Sequence, residues 1–343
     1  MSQSTKPVNV AAYAIPSLAV MIGAVVYAAV TGLWFVTAIP IGLLFGFFLQ
    51  KGDLCGSSAF SEVLLMRDAR KLWGLWVCIV TGMAVFAVMN QLGWITLAPK
   101  PFLWASHALG GLIFGLGTAL AGGCISGCLF KAGAGNLNSM AAIPAIALGV
   151  AMVEFGPLSG FNKKLQGMVI KSSSGGPVTL PSLTGIPYWA LAILFVTATL
   201  AAALWMKRRG QASAAARGVT AAPEPFCLKK KLLARTWKHW QAGLLIGLLG
   251  GAAYLSSAAT GRNYPLGVTH GVVFTQLLIT DSPLQHGYKK PAAPPAPPAL
   301  PPGAVAPKKV SWWLILLVIS LVAGAWVSGR LSGEARLLPK PPE

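Results

Sequence analysis

The 343-residue chain is 55% hydrophobic and 10% charged, with 27 Lys+Arg against 8 Asp+Glu and a mean hydropathy of +0.66. A soluble domain carries about a quarter charged residues, and eight acidic groups cannot solvate this much apolar surface. Five cysteines in this length staple almost nothing, and the long apolar runs exclude global disorder. What remains is an all-α, polytopic integral membrane protein.

A spanning helix needs about 20 mostly apolar residues. Residues 11–50 are nearly uncharged, broken at Thr31-Gly32 and again near Pro40, and read as two crossings at 11–30 and 33–50. A mixed stretch, 51–71, precedes further crossings near 72–95, 105–123, 140–156, 187–206, 241–259 and 311–329. That makes eight crossings. The first apolar run lacks the pattern of a cleavable signal peptide. Three linkers separate the spans: Gly/Ser/Pro-rich 157–186, basic 207–240, and the proline-rich 289–310, whose composition predicts an extended spacer. They divide the chain into an N-terminal membrane half (1–206), the basic linker, and a C-terminal half (241–343) carrying the proline-rich insertion.

The net charge of +19 sits between apolar runs, where it reports topology and contact with anionic lipid rather than nucleic acid. With eight crossings, eighteen of the 27 Lys/Arg fall on the side that holds both termini and 207–240. The positive-inside rule then makes that side, with both termini, cytoplasmic. The same basic balance suits an anionic solute.

A local repeat carries the most information. Residues 42–46 read GLLFG, 111–115 GLIFG and 243–247 GLLIG. Nine positions beyond the second glycine of the first two copies stand Cys55 and Cys124; Ser256 holds that position in the third. Each glycine pair has the small-xxx-small spacing that lets helix backbones approach closely in lipid. Around the cysteines the sequence is QKGDLCGSSAFSE and LAGGCISGCLFKAGAGN. In both, an apolar helix breaks at glycine (Gly122 and Gly123 in the second copy), the cysteine follows, small and hydroxyl residues come next (Gly56, Ser57 and Ser58, or Ser126 and Gly127), and another apolar stretch begins. Irregular backbone at membrane depth is tolerated only where it is buried or lines a watery cavity, and half-helices whose N-termini face an anion are a recurring transporter device. Ser57, Ser58 and Ser126 are candidate N-caps or solute donors. A thiol offers a weak donor and a soft sulfur, suited to an anion that must be recognised without being trapped.

Other residues carry weaker signals. Cys78, inside a crossing, reads as packing, and Cys227 as an exposed thiol beside Lys229. Cys124-x-x-x-Cys128 could share a helix face, but no acid or histidine nearby makes it a metal site, and redox pairs usually have CxxC spacing. Lys131 either attracts an anion or snorkels. Arg262, at the break after the third repeat, is an anion-guiding candidate. Glu154 is either interfacial or functional. Asn136 and Asn138 are amide donors or caps. His270 is a supporting donor, and His107, His239 and His286 read as interfacial. No GxxxxGK[ST] nucleotide-binding motif and no cofactor motif is present.

KGDLCGSSAF at 51–60, AGGCISGCLFKAGAG at 121–135, GRNYPLGVTHG at 261–271 and SGEARLLP at 332–339 resemble the YeeE/YedE family of sulfur-compound transporters. The resemblance implies two related halves around an hourglass-shaped route for thiosulfate, with short half-helices at the constriction. Thiosulfate would pass along three cysteines by transient S–H contacts. Cys55 and Cys124 match the first two. The glycine-rich helix ending in GGC that usually follows the SGE segment has no counterpart before Glu343, and the family's pattern is to that extent incomplete. The expected partners are a small inorganic sulfur anion, membrane lipid and a cytoplasmic sulfur-accepting protein. Two rival readings stand beside transport: a membrane thiol oxidoreductase using Cys124 and Cys128, and a non-transporting membrane subunit.

Overall fold

A computed structural model describes residues 10–172, 175–216, 236–280, 284–287 and 308–335. Its helices are, in chain order, α1 (Val10–Thr31), α2 (Ala38–Gly52), α3 (Gly56–Met66), α4 (Arg70–Gln91), α5 (Trp104–Ala121), α6 (Ile125–Gly133), α7 (Leu137–Glu154), α8 (Ser159–Gln166), α9 (Leu180–Thr184), α10 (Tyr188–Ala216), α11 (His239–Ala259), α12 (Thr269–Thr280) and α13 (Trp312–Leu331). Eight spans are long and apolar enough to cross a membrane, among them Trp34–Met66 and Trp104–Gly133, each of which carries one of the short helices α3 and α6. The chain is an all-α polytopic membrane protein.

The break expected near Pro40 lies slightly earlier. A 3₁₀ turn (Trp34–Thr37) leads into α2, and Pro40 occupies its first turn, where a missing N–H leaves no hydrogen bond unmade. Three helices fall where the sequence suggested only connection: α8 and α9 inside 157–186, and α12 after the third break. Two four-residue strands, β1 (Leu284–Gly287) and β2 (Lys308–Ser311), pair in parallel. They bracket the proline-rich insertion and take its last residues, 308–310, into a ladder; 289–307 lie outside the described residues.

The core is made by parallel helix pairs that approach through glycine. A Cβ at Gly42 would strike Ser320 Oγ and the Leu317 carbonyl, and one at Gly46 the Leu321 carbonyl of α13. Further along, Gln50 and Ser328 hydrogen bond to each other. Contacts thus advance together along α2 and α13, so the two helices run the same way. In the third repeat copy, Gly243 meets the Gly74 carbonyl, Gly247 meets Cys78 and Thr81, and Gly251 meets Val85. Helices α4 and α11 are therefore parallel as well. An eight-crossing chain places α2 and α13 second and eighth, and α4 and α11 third and seventh, so both parallel pairings match that count. Leu49, Leu54, Cys55, Phe130, Ala242, Ile246, Trp313, Leu317 and Leu321 share one buried cluster, to which elements before and after the basic linker both contribute. The middle repeat copy behaves differently: Gly111 and Gly115 of α5 meet nothing within 4 Å.

Candidate functional site: two half-helices meeting at a thiol pair

Helix α2 ends at Asp53, whose left-handed backbone (φ 43°) breaks the helix, and Cys55 in extended conformation then starts α3. Helix α5 ends at Gly122 (φ 68°), a conformation glycine adopts without strain, and extended Cys124 starts α6. Each cysteine is thus the N-cap residue of a short helix, 11 residues for α3 and 9 for α6. Neither helix receives a capping bond from its N-cap side chain, so their first-turn N–H groups keep their donor capacity.

The two N-termini converge. Cys55 Sγ lies 3.5 Å from Cys124 Sγ and accepts from the Cys124 backbone N–H at 3.4 Å. Gly127, in the first turn of α6, borders Cys124 Sγ. Ser126 Oγ stands 3.3 Å from it. The sulfur pair therefore sits where the positive ends of two helices meet, one cysteine at each. Gly127 makes room: a Cβ there would lie 2.5 Å from Cys55 Sγ and 3.5 Å from Cys124 Sγ. Gly123 borders the same sulfur, at 3.6 Å from a built Cβ to Cys55 Sγ. Cys55 is fully buried and Cys124 half-buried.

Two cavities lie near the starts of α3 and α6, and neither has Cys55 or Cys124 in its wall. The smaller, about 180 Å³, is lined by Ser57, Ser58, Ser61, Glu62, Thr118 and Lys131 among others. The larger, about 660 Å³, lies between α5 and α7 and includes Gly122, Lys131, Asn136, Asn138 and Ser139 in its wall. Ser58 Oγ bonds the Cys55 carbonyl at 3.3 Å, and Lys131 Nζ donates to the Gly122 carbonyl at 3.0 Å, so the ammonium stands at the broken end of α5 and borders both cavities.

Cys55, Cys124, Ser57, Ser58, Gly122, Gly123, Ser126, Gly127 and Lys131 thus come together. Arg262 lines neither cavity. It sits after Gly261 (φ 83°), donates to the Pro265 carbonyl at 3.0 Å and lies over the Trp313 ring at 5.3 Å. Burial lowers its pKa to about 10, which leaves it cationic at neutral pH. Ser256, aligned by spacing with the two cysteines, remains inside α11 and accepts from Trp313 Nε1 at 2.7 Å; the third break comes after it, at Thr260–Gly261.

Cys128 is not the partner of Cys124. Its buried thiol bonds the Gly123 carbonyl at 3.5 Å, and the sulfur facing Cys124 is that of Cys55. Asn136 caps α7, its side-chain oxygen accepting from Asn138 and Ser139 N–H groups. Glu154 pairs with His270 at 3.0 Å, joining α7 to α12. Among the described residues, no group of His, Cys, Asp and Glu could hold a metal ion. Cys227 lies outside the described residues.

Sequence reasoning missed the polar clamps that hold the half-helices. Lys71, at the start of α4, bridges Asp53 and, at 2.6 Å, Glu62, tying together the end of α2, the middle of α3 and the start of α4. Gln50 donates to Glu334 at 2.6 Å while bonding Ser328. The acidic residues were the available signal: with 8 in the whole chain, Asp53, Glu62 and Glu334 each called for a partner.

Residues 51–343 match the family described as Sulphur transport. The chain belongs to that family. Among characterised relatives, the thiosulfate transporter TsuA of Spirochaeta thermophila is 28% identical over 317 residues, covering 89% of this chain and 81% of its own length. The Escherichia coli thiosulfate transporter TsuA is 26% identical over 298 residues, covering 86% of this chain and 75% of its own. A probable transporter, YedE of Salmonella typhimurium, is 35% identical over 107 residues, 29% of this chain and 25% of its own. Members of this family are transporters, so the thiol oxidoreductase reading of Cys124 and Cys128 gives way: the chain transports a sulfur compound and is not an enzyme.

Proposed function

We propose that the chain imports thiosulfate across a cell inner membrane, both termini being cytoplasmic, and that the anion passes between Cys55 and Cys124. The supporting observation is the meeting of the α3 and α6 N-termini at the Cys55–Cys124 sulfur pair, 3.5 Å apart. A place between two polarizable sulfurs at two helix N-termini suits the terminal sulfur of thiosulfate. As the anion enters, its sulfur takes the place of Cys124 as acceptor from the Cys55 S–H, and the Cys124 S–H turns toward it in turn. Both contacts are weak. Among the described residues no cation bonds either thiol, so the dianion is favoured enough to enter and held loosely enough to leave. Lys131, at the border of both cavities, raises the local anion concentration without gripping the solute between the thiols.

The two related halves and the hourglass shape belong to the same proposal, as does a cytoplasmic protein that accepts the delivered sulfur. The division at the basic linker rests on the repeat spacing and on the parallel α2–α13 and α4–α11 pairs.

The test is uptake of radiolabelled thiosulfate into proteoliposomes. Cys124→Ala is expected to reduce uptake at least tenfold at unchanged membrane insertion, since a hydrogen bond to a charged group is worth roughly 1.5–3 kcal/mol. Uptake equal to wild type by a correctly inserted Cys124→Ala protein overturns the thiol route.

A further inference from the structure

A second feature lies apart from the thiols, on the outer side of α4 where it meets α10 and α11. A cavity of about 700 Å³ runs between these helices, walled by Trp73, Val77, Val80 and Ala84 on α4, Val196, Leu200 and Ala203 on α10, and Leu244 on α11. It continues into a second cavity of about 890 Å³ through shared residues Trp73, Met206, Lys238 and Trp240. The walls from Trp73 to Ala84 and from Val196 to Lys207 each rise about 16 Å at helical pitch. That is half of a hydrocarbon core about 30 Å thick. The groove is one leaflet deep.

Its chemistry is graded along that length. The deep part is aliphatic, with Thr81 and Thr199 the hydroxyl side chains on its wall, and Thr199 is engaged by Trp76 Nε1 at 3.0 Å. The mouth carries Trp73, Trp76, Trp237 and Trp240, residues that settle at the water–lipid boundary. Around those rings stand Arg70, Lys207, Lys238 and His239. Asp68 is bound to Arg70 at 2.5 Å and offsets that one cation, which leaves the lysines to set the sign of the mouth. His239 bonds the Gly52 carbonyl at 2.7 Å.

We propose that this groove is a binding site for one anionic phospholipid from the leaflet on the side of the basic linker, with an acyl chain between α4, α10 and α11 and its phosphate between Lys207 and Lys238. A generic apolar face would need no cations at one end, and a soluble anion would need no leaflet-deep aliphatic slot. The combination fits a molecule that has both. The bound lipid fills the gap between α10 and the α4–α11 pair on that side of the bilayer, and so joins α10 to the core.

The test is native mass spectrometry of the full-length, detergent-purified protein titrated with phosphatidylglycerol or phosphatidylcholine of identical acyl chains. Saturable retention of one phosphatidylglycerol, at least tenfold tighter than phosphatidylcholine, is expected. Removing each cation weakens attraction to anionic lipid about fivefold, so Lys207→Gln with Lys238→Gln brings phosphatidylglycerol down to the phosphatidylcholine level. Ala203→Phe fills the slot and abolishes retention of both while leaving the surface charge intact. Equal retention of the two lipids by the wild type overturns the site, as does undiminished phosphatidylglycerol binding in Ala203→Phe. Absence of saturable binding to the wild type also overturns it, and is the result expected if residues 217–235 of the linker occupy the groove.

Discussion

At the scale of single residues, the thiol pair is shaped as much by a missing side chain as by the sulfurs. Gly127 lies against both, and any Cβ there would stand 2.5 Å from Cys55 Sγ. Gly127→Ala is therefore expected to cut thiosulfate uptake at least as deeply as Cys124→Ala, with both thiols still present and the protein still inserted. Radiolabelled uptake alongside a surface-expression assay checks it. Ser126→Ala removes a hydroxyl 3.3 Å from Cys124 Sγ but leaves the Cys55 thiol that faces it. It should lower uptake only a few-fold, because a neutral hydrogen bond contributes about 1 kcal/mol net. The two cysteines were legible from equal spacing after matched glycine pairs. Their pairing with each other rather than within Cys124-x-x-x-Cys128 was not, because it depends on how two chain segments 69 residues apart are brought together.

At the scale of elements, the glycine repeat serves one purpose in two of its three copies. Gly46 of α2 accepts the α13 backbone and Gly247 of α11 accepts α4, each too close for any larger residue. Gly46→Val is expected to destabilise the protein by about 3 kcal/mol or more, since the opposing atoms are backbone and cannot swing aside. Loss of the monodisperse peak on heating, earlier than in wild type, reports it. Gly111→Ala is expected to leave the described fold unperturbed, because nothing lies within 4 Å of that position. The contrast separates what spacing shows from what it does not. A small-xxx-small pattern marks a helix face that can be approached, and the approaching helix is decided elsewhere in the chain. Lys71 makes a similar point. Lys71→Ala leaves Asp53 and Glu62 together without their cation and should loosen α3 against α4, lowering the melting temperature and increasing alkylation of Cys55.

At the scale of the whole molecule, the parallel α2–α13 and α4–α11 pairs bind segments on either side of the basic linker into one buried cluster. Opposite-sided reporters test the arrangement: fusions placed after Thr31 and within 157–166 should report one face, and fusions within 67–69 and 217–235 the other. A reporter at 157–166 on the same face as one at 217–235 would break the eight-crossing order. Hydropathy placed six of the eight spans to within a few residues, because lipid demands about 20 apolar residues whatever they pack against; the second and fourth run on to Met66 and Gly133 through the short helices α3 and α6. It passed over α8, α9 and α12, which are too short or too polar to register as spans.

What the sequence determined by itself follows from local chemistry. Apolar run lengths set the crossings, the breaks before Cys55 and Cys124 start new short helices (at Gly122 as expected in the second copy, at left-handed Asp53 rather than glycine in the first), and charge imbalance ties the chain to a membrane. The motifs at 51–60 and 121–135 also carried the family. Tertiary structure decided which partners meet: Cys55 with Cys124, Lys71 with two carboxylates, Gly46 with α13, and Arg262 with Trp313 away from the thiol pair. The reason is physical. A helix or its end forms from interactions within a few residues along the chain, whereas a contact between distant segments depends on how every intervening helix packs, and no local pattern encodes that sum.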